Sequence, residues 1–226
     1  SWSRIAELKG TSTLGYTDTK ASAGATYIYT VRPYSGNVKG DWNSTGTLKR
    51  LADPTVASVT NATAGITVKW NKTAGASGYI VYRKGTSGSW TRIADVKSKT
   101  TTSYTDKTAS GGSTYSYTVR AYSGKTMSDW HNYKSLKRLA DPKFDSAYAV
   151  KAGITLKWSK VTGAGGYILY RKAPGGSWAR IADIKSGSTL KYVDTTAARG
   201  VKYSYTIRAY SGKVMSSWSS VRNISR

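Results

Sequence analysis

The fold is decided by Gly112-Ser113-Thr114-Tyr115-Ser116-Tyr117-Thr118-Val119-Arg120-Ala121-Tyr122. Tyr115, Tyr117, Val119 and Ala121 alternate with Ser116, Thr118 and Arg120. A period of two sends successive side chains to opposite sides of an extended chain, leaving one apolar and one polar face. This is the pattern of an antiparallel strand covered on a single side. The same alternation runs through Ile66-Thr67-Val68-Lys69-Trp70 and Gly78-Tyr79-Ile80-Val81-Tyr82-Arg83. No segment places apolar residues at the i, i+3, i+4, i+7 spacing of an amphipathic helix. Turn-forming residues punctuate the runs: Asp53-Pro54, the Gly75 to Gly78 stretch, Ser87-Gly88, Gly111-Gly112 and Ser123-Gly124. They leave seven expected strands, near residues 55–60, 65–71, 78–84, 89–96, 102–105, 113–122 and 126–138. Short strands at this spacing predict an all-β sandwich or barrel.

Outward from this segment the sequence repeats itself. Trp2, Trp90 and Trp178 are 88 residues apart, as are Trp42, Trp130 and Trp218, and Tyr27, Tyr115 and Tyr203. Trp70 and Trp158 recur at the same interval. Residues 53–140 and 141–226 align without a gap, and more than half of the aligned positions are identical. A solenoid repeat runs to about 20–50 residues and a small β-sandwich to about 100. Each 88-residue copy is therefore expected to be a domain with its own core: residues 53–140 and 141–226 as complete repeats, and 1–52 as the C-terminal part of an incomplete one. The expectation for 1–52 is that the chain was cut from a longer array, or that a missing half or another chain completes it. Only about four residues separate one expected domain from the next, which predicts an elongated rod rather than a freely jointed string.

Composition narrows the function. Of 226 residues, 35 are Lys or Arg and 11 are Asp or Glu, a formal charge of +24. Cysteine is absent, which excludes a disulfide framework, a Cys-based zinc site and a Cys nucleophile. The single histidine, His131, has no counterpart in the other copies. No apolar run reaches the ~20 residues of a membrane-spanning helix, and no apolar stretch near the first residue resembles a signal peptide. The basic residues are dispersed, without the Lys/Arg block of a nucleic-acid arm. They predict a general attraction to polyanions and no sequence-specific nucleic-acid recognition.

The strand endings carry a resemblance. With Trp70 closing the second strand, Gly78 to Arg83 forming the third and Gly112 to Tyr122 the sixth, the chain resembles the fibronectin type III family over its whole length, in the style of large surface and secreted proteins of Gram-positive bacteria. The resemblance implies tandem seven-stranded antiparallel β-sandwiches. It implies that Tyr115 and Tyr203 are tyrosine-corner residues, with Tyr27 at the same position in 1–52, each bonding backbone near the preceding turn. It supplies no catalytic residues, no cofactor and no metal site.

Several residues remain as candidates. By alternation Trp70 and Trp158 are core. The outward residues Tyr82, Arg120 and Tyr122, with Tyr170, Arg208 and Tyr210, form a candidate ligand-contact face, since exposed Tyr and Arg on a rigid sheet often dominate an interface. Lys84 and Lys172 lie on the same faces. The competing reading is cross-strand packing. Trp130 follows Arg120 by ten residues, as Trp218 follows Arg208 and Trp42 follows Arg32, and stacking of guanidinium on indole is expected. This is similar to the Trp-Ser-x-Trp-Ser element of cytokine receptors, with one Trp instead of two. Trp2, Trp90 and Trp178 cover a sheet edge or stand free for sugar stacking. Asp106 and Asp194 are expected to serve local turn bonding.

These readings predict an extracellular, non-enzymatic tandem repeat module of a bacterial surface or secreted protein, a rigid spacer projecting flanking domains. The alternative is an adhesive array that contacts a host glycoprotein, immunoglobulin or polysaccharide. Its expected partners are a cell-wall polymer, a host glycan or a host protein.

Overall fold

A computed structural model describes residues 1–226, and every regular element in it is a β-strand. In residues 1–52 there are six strands of two residues: β1 Thr26–Tyr27, β2 Thr30–Val31, β3 Tyr34–Ser35, β4 Val38–Lys39, β5 Asn43–Ser44 and β6 Leu48–Lys49. They pair as a nested hairpin, Thr26 with Lys49, Thr30 with Ser44 and Tyr34 with Lys39. Most of its apolar side chains are exposed, Val31, Trp42 and Leu48 among them.

The next eight strands make one sandwich. They are β7 Val56–Ala62, β8 Gly65–Trp70, β9 Gly78–Lys84, β10 Thr91–Val96, β11 Ser103–Asp106, β12 Thr114–Ser123, β13 Thr126–Met127 and β14 Lys134–Lys137. One sheet has the order β11-β8-β7, and the other β10-β9-β12-β13, with β14 also on β12. All pairings are antiparallel. Because β13 and β14 continue each other along the same edge of β12, the sandwich is seven-stranded, three strands facing four. The second sandwich repeats the plan with β15 Phe144–Val150, β16 Gly153–Trp158, β17 Gly166–Lys172, β18 Ala179–Ile184, β19 Lys191–Asp194, β20 Lys202–Ser211, β21 Val214–Met215 and β22 Arg222–Ser225. This is the all-β, tandem antiparallel sandwich architecture expected from the alternation, the 88-residue repeat and the resemblance taken together.

The alternation decides which face is buried. On β12, Tyr117, Val119 and Ala121 are fully buried; on the other face Ser116, Arg120 and Tyr122 are half-exposed, while Thr118 is covered, its Oγ1 donating to the Asn132 carbonyl at 2.8 Å. Ile66, Val68 and Trp70 of β8 meet them from the other sheet, and Trp70 lies against Tyr79 with ring centroids 5.4 Å apart. Trp158 and Tyr167 repeat the contact at 5.4 Å. Burying side chains of this size stabilises by about 1.5–3 kcal/mol each. Gly65 opens β8 at φ +156°, and a Cβ there would lie 2.0 Å from the Asp106 carbonyl oxygen, so only glycine allows β8 and β11 to close on each other.

The expected last strand, 126–138, is not continuous. Residues 128–133 leave the ladder between β13 and β14, and Ser128 takes over the pairing. Its N–H donates to the Ala121 carbonyl at 2.9 Å, and its Oγ accepts from the Ala121 N–H at 3.0 Å. Ser216 does the same with Ala209.

The same contact joins successive segments at an interval of 88 residues. Lys49 Nζ donates to Ser123 Oγ at 3.1 Å, and Lys137 Nζ donates to Ser211 Oγ at 3.3 Å. Beside each lysine two glycines meet backbone to backbone. A Cβ on Gly75 would lie 2.7 Å from the Gly24 Cα, and one on Gly163 would lie 2.8 Å from the Gly112 Cα. Between the two sandwiches Asn61 adds further bonds: its Nδ2 donates to the Met215 carbonyl at 3.2 Å, and its own backbone carbonyl accepts from Ser217 Oγ at 3.4 Å.

Candidate ligand-contact face

The outer face of the four-stranded sheet carries the candidate residues, and cross-strand register sets their positions. Tyr82 lies opposite Thr118, Ile80 opposite Arg120 and Gly78 opposite Tyr122. In the second sandwich Tyr170, Ile168 and Gly166 oppose Thr206, Arg208 and Tyr210. Tyr82, Arg120 and Tyr122 thus share one face, as do Tyr170, Arg208 and Tyr210, and all six are half-buried.

Each of the six is engaged within its own sheet. The Tyr122 ring covers Gly78, where a Cβ would lie 2.5 Å from it, and its hydroxyl donates to Asp95 Oδ1 at 3.0 Å. Partial burial, and then the bond to the Asp95 carboxylate, push the Tyr122 phenol above its ordinary range. Tyr210 repeats this over Gly166 with Asp183. Arg120 stacks on Trp130 at 5.1 Å from the ring centroid and donates from Nε to the Ser128 carbonyl at 2.6 Å. Arg208 stacks on Trp218 at 4.7 Å, and Arg32 on Trp42 at 4.9 Å. Tyr82 meets Trp130 edge-on at 4.6 Å, and Tyr170 meets Trp218 at 5.0 Å.

The ring surface open to solvent lies one strand away, where residues 128–133 leave the ladder. Trp130 is 46% exposed and Tyr133 58%. Trp90, from the turn before β10, stacks against Trp130 at 6.1 Å with an interplanar angle of 26°, and meets Tyr133 at 5.9 Å. Lys84 places its ammonium 4.9 Å from the Trp90 ring and 5.4 Å from that of Tyr133. The sequence marks Trp90, Trp130 and Lys84 separately but not their convergence, and it gives Tyr133 no role. The signal available was the change of residue across the repeat, since Thr45 and Val221 stand at the register of Tyr133.

The structural candidates occupy three settings. Trp70 and Trp158 are buried to 3% and 1% exposure. The hydroxyls of Tyr27, Tyr115 and Tyr203 accept from the backbone N–H of Ser22, Ser110 and Ala198, five residues upstream, at 2.8, 3.1 and 3.2 Å. A second tyrosine set is more deeply buried: Tyr79 accepts from the Thr73 N–H at 3.0 Å, and Tyr167 from the Val161 N–H at 2.9 Å.

Asp106 and Asp194 do more than close a turn. Asp106 accepts from the Thr108 N–H and Oγ1 at 2.9 and 2.8 Å, from the Tyr117 hydroxyl at 2.8 Å and from Arg83 Nη1 at 2.8 Å. Asp194 has the same donors in Thr196, Tyr205 and Arg171. Arg83 in turn stacks on Tyr115 at 4.8 Å, and Arg171 on Tyr203 at 4.7 Å. Burial alone raises a carboxyl pKa; here the bonds from threonine, tyrosine and arginine outweigh it and hold both carboxyls below their usual range. These groups point into the sandwich and tie its two sheets together. No group of three or more His, Asp or Glu side chains is arranged to hold a metal ion.

Comparison with known proteins finds similarity to parts of longer chains. No family model matches the sequence. It is 28% identical over 231 residues, covering 88% of this chain, to Exoglucanase B of Cellulomonas fimi. It is 42% identical over 77 residues, 34% of this chain, to a poly(3-hydroxybutyrate) depolymerase of Ralstonia pickettii. Among solved structures, a two-domain fibronectin type III segment from chicken tenascin aligns with 78% of this chain and 99% of its own, at 16% identity and a TM-score of 0.42. The matched region amounts to 20% of the exoglucanase and 14% of the depolymerase.

Proposed function

We propose that this chain is a spacer module of a longer extracellular bacterial protein, a stiff run of sandwiches that holds other domains at a set distance from one another or from a surface. The reading rests on the recurrence of one junction contact: lysine to serine and glycine against glycine, at Lys49, Ser123, Gly24 and Gly75 and again at Lys137, Ser211, Gly112 and Gly163. A hinge needs slack at the junction, and backbone in van der Waals contact on one side with a bonded ammonium beside it leaves little. Asn61 adds a second point of attachment between the complete sandwiches.

The relatives support the setting. Their names describe enzymes of polymers, a glucan and poly(3-hydroxybutyrate), and the similarity covers a minor part of each. On this reading a polymer-degrading domain elsewhere in the protein carries the chemistry, and a glucan too large to enter a cell would be met outside it. Small-angle scattering of the chain tests the proposal. The expected result is an extended particle whose longest dimension stays constant over a range of salt. A compact particle, or one with the broad distance distribution of freely jointed bodies, removes the spacer reading.

A further inference from the structure

We propose that the outer face of the first complete sandwich is a binding site for an acidic polysaccharide, seated on Trp90, Trp130 and Tyr133 with Lys84 supplying the cation. The rings adjoin one another at 5.9 and 6.1 Å, Lys84 Nζ lies among them, and Trp130 and Tyr133 are both reachable from solvent.

Sugar rings suit such a floor. Their C–H faces release water on covering an aromatic ring, and the electron-rich face of an indole or phenol attracts the slightly positive C–H groups. Indole N–H and phenol O–H tips remain at the ring edges for the sugar hydroxyls. Lys84 adds what a neutral sugar does not need. An ammonium held against aromatic faces keeps its charge and its donors, and a carboxylate or sulfate on the polymer satisfies them more strongly than water does. The formal charge of +24 raises the local concentration of such a polymer around the chain. Single-stranded nucleic acid also combines ring faces with anions, but it needs a row of cations along its backbone. Here the cations on the rings are two, Lys84 and an Arg120 whose Nε is already bonded to the Ser128 carbonyl, and Asp129 stands next to Trp130.

Sheet reinforcement does not account for the cluster. The second sandwich has the same strand order and register without it. Val221 replaces Tyr133, and Lys172 lies 5.9 Å from Trp178. The Arg208–Trp218 stack, which does stabilise the edge, is retained. The second sandwich keeps Trp178 and Trp218 exposed at 41% and 47%; what the first adds is Tyr133, and with it three rings in contact around one cation.

The test titrates the full chain with polygalacturonate, with neutral dextran and with oligothymidylate, following tryptophan fluorescence in about 0.3 M sodium chloride, where dispersed surface charge is largely screened. The expected result is saturable binding of polygalacturonate, weakened about tenfold or more by Tyr133→Val and unchanged by Trp218→Ala. Lys84→Gln should remove the preference for polygalacturonate over dextran. Tyr133→Val installs the residue that the second sandwich carries at this register, so the fold is expected to persist, and an unchanged melting curve checks it. The proposal is overturned if polygalacturonate does not bind, if dextran or oligothymidylate binds as well, or if Tyr133→Val binds normally.

Discussion

At the scale of single residues, Asp106 and Asp194 are the most consequential charges in the molecule. Each is buried to 1% or less, with an arginine and a tyrosine from two strands of the facing sheet bonded to the same carboxylate oxygen. Their carboxyls are held below the usual range when folded, whereas in the unfolded chain they titrate near the ordinary value of about 3.9. The stability they add is therefore complete above that ordinary value and is lost as pH falls through the lower, folded one. Urea melts across the acid range should show this slope, and Asp194→Asn should flatten it for the second sandwich. The same substitution should lower stability at neutral pH by about 3 kcal/mol, because Arg171 is left without its counter-charge. An acid limb identical in the variant would show that the carboxylate contributes nothing to folding. In residues 1–52, Asp18 stands at this register and accepts from Tyr29 at 3.2 Å.

Among the elements, the interrupted edge of the four-stranded sheet shows both what the sequence discloses and what it conceals. Strands such as β8 and β12 were legible because inward and outward side chains differ in kind, Tyr117 and Val119 against Ser116 and Arg120. Over residues 126–138 that contrast fades, and a continuous strand was the simplest reading. The break comes from Ser128, whose hydroxyl replaces a ladder partner for Ala121, and hydroxyl bonding of this sort has no period to detect. In the second sandwich Ser219 adds the same service for Ile207, with Oγ accepting from the N–H at 3.1 Å. Ser216→Ala should leave the buried Ala209 N–H without its partner and cost the second sandwich about 1–3 kcal/mol in chemical denaturation. Ser217→Ala, which removes only a 3.4 Å bond to Asn61, should cost much less. Equal effects would mean that the serine hydroxyl does not substitute for the ladder. The pairing of Arg120 with Trp130 was readable from its constant ten-residue offset. The meeting of Trp90 with Tyr133 was not, because it depends on how residues 128–133 leave the sheet. Asp106 was read as a turn residue, which accounts for its bond to Thr108 but not for Arg83, 23 residues away.

For the molecule as a whole, the junctions are the parts that composition could not describe and the 88-residue interval could only suggest. A side chain on Gly163 has no room beside Gly112, and φ +80° there disfavours any residue but glycine. Gly163→Val should therefore pry the two sandwiches apart at this point, broadening the scattering distance distribution while the core of each sandwich keeps its packing. A variant with the parent's scattering curve would mean that the glycine contact does not hold the junction. The equal spacing of the copies has another consequence, for how the chain reaches its native state. In the β9–β12 ladder Val81 faces Val119, and in the β17–β20 ladder Leu169 faces Ile207. A hybrid ladder of β9 with β20 keeps every side chain on its proper face, and swaps only one aliphatic residue for another. Adjacent near-copies thus offer each other a strand partner almost as good as their own, the setting in which tandem domains misassemble. Emergence from the ribosome in order removes the rival: β9 and β12 are complete and can close together before β20 exists, whereas a chain diluted from denaturant must choose between the two partners at once.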